Sequence, residues 1–244
     1  MSSVFRTVLF LPAVSLAARA ADAAIDLAAE TRAERAKLHE TFADVFAPVV
    51  DDPRLPRVLL IGDSISIGYT VAVRAQLRDI ANVHRIPDNG GPTTRGRAML
   101  DEWLGDGRWD VVHFNFGLHD IACVKAGAPR VTAAEYEENL RAIATRLRAT
   151  GARLIGATTT PVPPVEVRPV RRNEDVVERN AIVRRVMAEL RVPLDDLYAV
   201  ATPRLAAIQQ PANVHFTPQG YAVLADAVVA SLRAELSKAP GAKR

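Results

Sequence analysis

Two short segments carry the residue types that acyl-transfer chemistry needs. Val58 to Tyr69 reads VLLIGDSISIGY and sets Ser64 just past an apolar run, while Asn213 to Tyr221 reads NVHFTPQGY and sets His215 just ahead of a helix start. A hydroxyl is a weak nucleophile until a neighbouring base takes its proton, and imidazole is suited to that task near neutral pH. A fold that brings Ser64 to His215 would therefore make a nucleophile and its general base. Gly-Asp-Ser is a weak signal when it stands alone, because Asp63 and Ser64 are also ordinary turn and cap residues.

Three further segments add candidates. In NGGPTTRG, Asn89 to Gly96, Gly91 can bring a backbone N–H close to a substrate oxygen, as an oxyanion site requires; a plain turn glycine is the alternative. Asn89, Arg95 and Arg97 there either meet a polar substrate or sit solvated at a helix start. In FGLHD, Phe116 to Asp120, His119 can offer an N–H to an oxyanion or bond a loop carbonyl, and Asp120 can fix the loop or His119. The proline-interrupted PVPPVEVRPVRR, Pro161 to Arg172, offers Arg168, Arg171 and Arg172 to an acidic or sugar-based substrate, with a solvated loop as the alternative.

The elements that must position these residues alternate along the chain. Short apolar runs at 58–61, 83–86, 111–116, 153–158 and, more weakly, 194–197 read as strands; helical patterns fill 66–77, 95–104, 133–149, 173–190 and 218–236. Such alternation predicts an α/β fold with parallel strands and crossover helices on both faces, whose ligands bind at the carboxyl ends of the strands. Thr132 with Glu135 forms a capping box, and Thr217 followed by Pro218 caps a last helix whose apolar face is Tyr221, Leu224, Val228 and Leu232. His215 then lies on the loop entering that helix. His39, His84 and His113 are expected to be structural, and Trp103 and Trp109 to belong to the core.

Composition narrows the class. With 244 residues and 49% hydrophobic content, the chain can bury one substantial core. A net charge of +3 with both signs interspersed argues against nucleic-acid binding. The single cysteine, Cys123, excludes an intramolecular disulfide and thiolate-rich metal sites, and no HExxH, Walker or GxGxxG pattern is present, so no metal or cofactor is expected. Arg6, the apolar stretch Val8 to Ala18 and the small-x-small Ala18-Arg19-Ala20 make residues 1–20 a candidate signal peptide, implying a secreted or periplasmic protein. Read instead as a plain helical segment, which Pro12 favours, they leave it cytoplasmic; the apolar stretch is too short to span a bilayer. Residues 21–52 read as an amphipathic helix and linker, 53–238 as the main domain and 239–244 as a polar tail.

In this order the segments resemble the blocks of the SGNH hydrolase superfamily, the GDSL-type lipases and esterases. The likeness runs from about Arg57 to Leu232. It implies a three-layer α/β/α sandwich with a mostly parallel five-stranded sheet of flavodoxin-like type, with Ser64 as nucleophile and His215 as general base. It also implies an oxyanion hole formed by Ser64, Gly91 and His119. Two positions depart from the family pattern. His119 stands where Asn is usual in GxND, as in a bacterial branch that this chain resembles, and Ala212 stands where DxxH has its acid. Asn213 and Val214 do not replace that acid, and a backbone carbonyl is expected to hold Nδ1 of His215, giving a Ser-His dyad supported by Asp63, Asp120 and Asn213. The implied activity is hydrolysis of short-chain acyl esters, with carbohydrate O-acetyl groups as candidates. The alternatives are a non-catalytic glycan- or ligand-binding protein, or a thioesterase or lysophospholipase using the same site.

Overall fold

The computed structural model describes residues 32–125 and 127–238. Five strands, β1 (Arg57–Ile61), β2 (Asn82–Arg85), β3 (Val111–Asn115), β6 (Arg153–Ala157) and β7 (Leu194–Asp195), form one sheet in the order β2-β1-β3-β6-β7, with every pairing parallel. A small antiparallel pair, β4 (Cys123–Lys125) and β5 (Ala128–Pro129), stands outside it. The helices are α1 (32–41), α2 (Ala43–Phe46), α3 (Ser64–Gln76), α4 (Thr93–Leu104), α5 (Ala133–Arg148), α6 (Asn173–Leu190), α7 (Leu197–Ala201), α8 (Leu205–Ile208) and α9 (Pro218–Leu236).

Strand pleating divides the core in two. Val58, Leu60, Val111, Ile155 and Ala157 face a cluster completed by α3 and α9, whereas Leu59, Ile61, Val112, Phe114 and Leu154 face α4, α5 and α6. Burial on both faces explains why these strands read as continuous apolar runs rather than alternating ones. The five strands and the long helices α3 to α6 and α9 follow the pattern expected from the sequence. The β4–β5 pair and the short helices α7 and α8 do not appear in that reading, being too brief to show a period.

The chain passes from β1 outward to β2, then returns to β3 on the other side of β1. That reversal opens a crevice at the carboxyl ends of β1 and β3, the place where open parallel sheets bind ligands. Helix α1 is fastened near the same edge. Arg35 donates from Nε and Nη2 to the two carboxylate oxygens of Asp88 at 2.8 and 2.9 Å, and Nε1 of Trp103 donates to Asp88 at 2.7 Å. His39 bonds the carbonyl of Pro87 at 2.9 Å and stacks on Phe46. His84 pairs with Asp51, and buried His113 with Asp195, so all three histidines have the structural roles expected of them. Among the described residues no helix is long and apolar enough to cross a membrane. The expected signal segment and the polar tail lie outside the described residues.

Candidate active site

Ser64 is the first residue of α3. Asp63 caps that helix, its Oδ1 accepting from the N–H of Ile65 at 2.9 Å, while the N–H of Ser64 has no acceptor among the described residues. A helix N-terminus of this kind favours negative charge beside it. The turn is held from below by Arg85, which is 8% exposed. Its guanidinium donates to the carbonyl of Gly62 (3.2 Å), Oγ of Ser66 (3.0 Å) and the carbonyls of Ile86 (2.8 Å) and Asp88 (2.9 Å). Burial depresses this group to about 10, so it stays cationic at neutral pH. Arg85 is not among the residues the sequence singles out; its one local signal is a lone arginine at the end of a strand.

The loop before α9 brings His215 to Ser64. A bridge between Gln209 and Phe216, with Gln210 N–H donating to the His215 carbonyl and Thr217 N–H to the Ile208 carbonyl, closes the loop on itself. Thr217 then caps α9 by accepting from Gly220 N–H at 3.1 Å, with Pro218 in the first turn. Nε2 of His215 lies 2.9 Å from Oγ of Ser64. Nδ1 lies 2.7 Å from Oδ1 of Asn213, which also accepts the backbone N–H of His215 at 3.1 Å. That backbone donor identifies the atom as the amide oxygen rather than the nitrogen. An oxygen there only accepts, so Nδ1 carries the proton and Nε2 is free to accept from the serine hydroxyl.

This corrects the expectation that a backbone carbonyl would hold His215 and that Asn213 would not stand in for the missing acid. The physical reason lies one residue earlier. Ala212 has φ of 47°, a left-handed conformation that costs a residue with a Cβ about 1–2 kcal/mol. The turn made there leaves Asn213, two positions before the histidine rather than three, as the acceptor.

The third segment is shaped by Gly117, with φ of 152°; a Cβ there would stand 2.0 Å from Oγ1 of Thr159. The Gly117 carbonyl accepts from the N–H groups of Asp120 and Ile121, making a turn that sets Leu118 and His119 on the cleft. Asp120 points away. It is fully buried and accepts from the N–H (2.9 Å) and hydroxyl (2.5 Å) of Thr93, tying this turn to the start of α4. Burial pushes its carboxyl up to about 6.

Ser64, Asn89, His119, Arg168, Arg171, Asn213 and His215 share one cavity of about 460 Å³. Arg171 is fixed there by a 2.7 Å bond from Nε to the Leu118 carbonyl, and Arg168 pairs with Glu166 at the rim. Gly91 and Arg95 instead line an adjoining cavity of about 540 Å³, which shares Asn89 and His119 with the first and is walled by Glu34, Lys37, Leu38, Thr41 and Phe42. Gly91, in the left-handed region at φ of 64°, donates its N–H to Oδ1 of Asn89 at 3.1 Å, so the expected oxyanion donor is already engaged. Arg172 turns toward Cys123 and Asp175, and Arg97 toward Glu138 and Asn139; neither lines the cavity that holds Ser64.

Burial is the largest influence on both cleft histidines, and it holds each below the ordinary imidazole value. The charge of Arg171 pushes both in the same direction, Arg130 adds to it at His119, and Asp63 opposes. Both rings are thus neutral at neutral pH. A neutral imidazole 2.9 Å from a hydroxyl can take its proton, and a neutral His119 can still donate from one nitrogen.

Residues 60–223 match the GDSL-like Lipase/Acylhydrolase family. No curated protein matches the chain. Among solved structures, an acetyl xylan esterase aligns with a TM-score of 0.63 at 17% identity, covering 72% of this chain and 99% of its own. The lipase/acylhydrolase from Enterococcus faecalis aligns with a TM-score of 0.63 at 23% identity over 76% of this chain and 100% of its own. The acetylxylan esterase Axe2 from Geobacillus stearothermophilus aligns with a TM-score of 0.61 at 21% identity over 78% of this chain and 97% of its own. With the family matched across most of the chain and the same five-stranded α/β fold in its structural neighbours, this protein belongs to the GDSL-like lipase/acylhydrolase family and is a serine hydrolase of the SGNH type.

Proposed function

We propose that the protein hydrolyses carboxylic esters of a polar, carbohydrate-like alcohol through an acyl-enzyme formed on Ser64. The observation that carries this is the chain of contacts Ser64 Oγ, His215 Nε2, His215 Nδ1, Asn213 Oδ1, at 2.9 and 2.7 Å. Ser64 Oγ attacks the ester carbonyl as its proton passes to Nε2 of His215, and the Asn213 oxygen steadies the imidazolium that results. The tetrahedral oxyanion is met by the N–H of Ser64 and by His119, and by the N–H of Gly91 once Asn89 releases it. Collapse of the intermediate breaks the ester C–O bond, and His215 gives its proton to the departing alcohol. Water then attacks the acyl-enzyme, His215 takes a proton from it, and Ser64 leaves with that proton restored.

The alcohol assignment draws support from the polar rim of the Ser64 cavity, with Asn89, Glu166, Arg168 and Arg171, and from the acetylxylan esterases among the structural neighbours. Acetyl esters are the smallest substrates this reading admits. Export directed by residues 1–20 is part of the same proposal, supported by Arg6, the apolar stretch Val8 to Ala18 and the small-x-small Ala18-Arg19-Ala20. Purified protein should hydrolyse p-nitrophenyl acetate and an acetylated sugar, and Ser64→Ala should abolish both activities; a Ser64→Ala protein as active as the wild type would overturn the mechanism.

A further inference from the structure

The cavity beside the Ser64 cleft has no part in the proton chemistry, yet it shares Asn89 and His119 with that cleft. The leaving alcohol has to sit on the side of His215, because Nε2 returns the proton to it. That side is the polar cavity with Glu166, Arg168 and Arg171. The adjoining cavity is lined by neither Ser64 nor His215, but it meets the cleft at Asn89 and His119, on the oxyanion side. A substituent that left the carbonyl carbon away from the alcohol and past His119 would be directed toward it.

Its far wall is built by α1 and by Phe42 just after it, which precede the family-matched segment 60–223. Leu38 and Phe42 supply apolar surface, and Phe42 is 42% exposed, so its ring is available to an apolar group entering the cavity. The wall is held by the Arg35–Asp88 pair rather than left to drift. At about 540 Å³ the cavity lies in the range that encloses a small organic ligand, and an acetyl methyl would leave most of it unfilled.

We infer that this cavity binds the acyl group of the substrate and that the enzyme prefers a linear medium-length acyl chain, near eight carbons, over acetyl. The inference rests on the esterase reading above and departs from the short-chain expectation drawn from sequence. Burying a methylene fully contributes about fourfold to affinity, and roughly twofold where, as in this open-mouthed cavity, part of the chain still meets water. Six added methylenes then favour an octanoyl ester over acetyl by roughly sixty-fold in kcat/KM.

The test is a p-nitrophenyl ester series from acetate to decanoate, in which the alcohol is constant and only the acyl group varies. It is run on wild type, on Thr41→Trp, which fills the cavity from its exposed wall, and on Phe42→Ala, which removes apolar surface. Expected are a rise of at least tenfold from acetate to octanoate in wild type, its loss in Thr41→Trp, whose Ser64 is still labelled by a fluorophosphonate, and a smaller rise in Phe42→Ala. Acetate hydrolysed best by wild type, with Thr41→Trp leaving the chain-length profile unchanged, would overturn the inference while leaving the esterase reading intact. Absence of hydrolysis of every ester, together with no fluorophosphonate labelling of Ser64, would remove both.

Discussion

Replacing Asn213 tests whether a neutral amide has taken over the task of the acid that position 212 lacks. Oδ1 of Asn213 accepts from both Nδ1 and the backbone N–H of His215, at 2.7 and 3.1 Å. In Asn213→Ala the imidazolium formed during proton transfer loses one charge-assisted hydrogen bond. Such bonds contribute about 1.5–3 kcal/mol, which converts to a fall in kcat of roughly 10- to 150-fold. That is well short of the roughly 10⁴-fold loss that follows when a triad carboxylate is replaced. KM should change little, because Asn213 acts through the imidazole. Asn213→Asp keeps both acceptor bonds and adds a negative charge against the ring, so the pKa of His215 rises and the acid limb of kcat/KM moves up by roughly one unit or more. The assay is p-nitrophenyl ester hydrolysis from pH 4.5 to 9, with thermal melts to show that each variant is folded. If Asn213→Ala retains activity within twofold of wild type and Asn213→Asp leaves the acid limb where it was, the amide does not orient the histidine and the reasoning fails.

Three further outcomes follow from the same geometry. Burial and the charge of Arg171 hold His215 below 6.5, so wild-type kcat/KM should fall only at a pH below that value, and Arg171→Gln should move the fall upward; a limb above 6.5 in wild type would contradict this. His119→Ala should cost on the order of 10²-fold in kcat by removing an oxyanion donor, and His119→Asn should recover most of it, whereas full activity in the alanine variant would remove His119 from the reaction. The carboxyl of Asp120 titrates at about 6 in the folded protein against an ordinary 3.8, so the folded state holds the extra proton between those values and stability falls as pH rises through them. The whole fall amounts to at most about 3 kcal/mol, of which roughly 1.4 kcal/mol lies between pH 5 and pH 8, and denaturant melts at those two values should show it shrinking in Asp120→Asn; equal pH dependence in the two proteins would refute it.

The features legible in the sequence are those set by local chemistry. Val58 to Ile61 and Val111 to Phe114 announce buried parallel strands because both of their faces are covered, and Thr217-Pro218 announces the helix start that puts His215 on a loop. Ser64 and His215 meet across 151 residues because both segments end at the same sheet edge. The acceptor for Nδ1 was not legible. A search for an acid three residues before the histidine finds Ala212, and nothing in its identity reveals the left-handed backbone that hands the task to Asn213. The engagement of the Gly91 N–H by Asn89 is likewise a matter of one side-chain torsion. The acyl cavity depends on where α1 docks, and that is decided by a pair, Arg35 and Asp88, 53 residues apart with no pattern linking them.

The most direct measurement is peptide mass spectrometry after fluorophosphonate labelling of wild type, Ser64→Ala and His215→Ala. A single adduct on Ser64 in wild type, none in Ser64→Ala and labelling slowed by orders of magnitude in His215→Ala is the predicted result. An adduct on another residue, or labelling of Ser64 at the same rate without His215, would contradict the claim that this imidazole activates this hydroxyl.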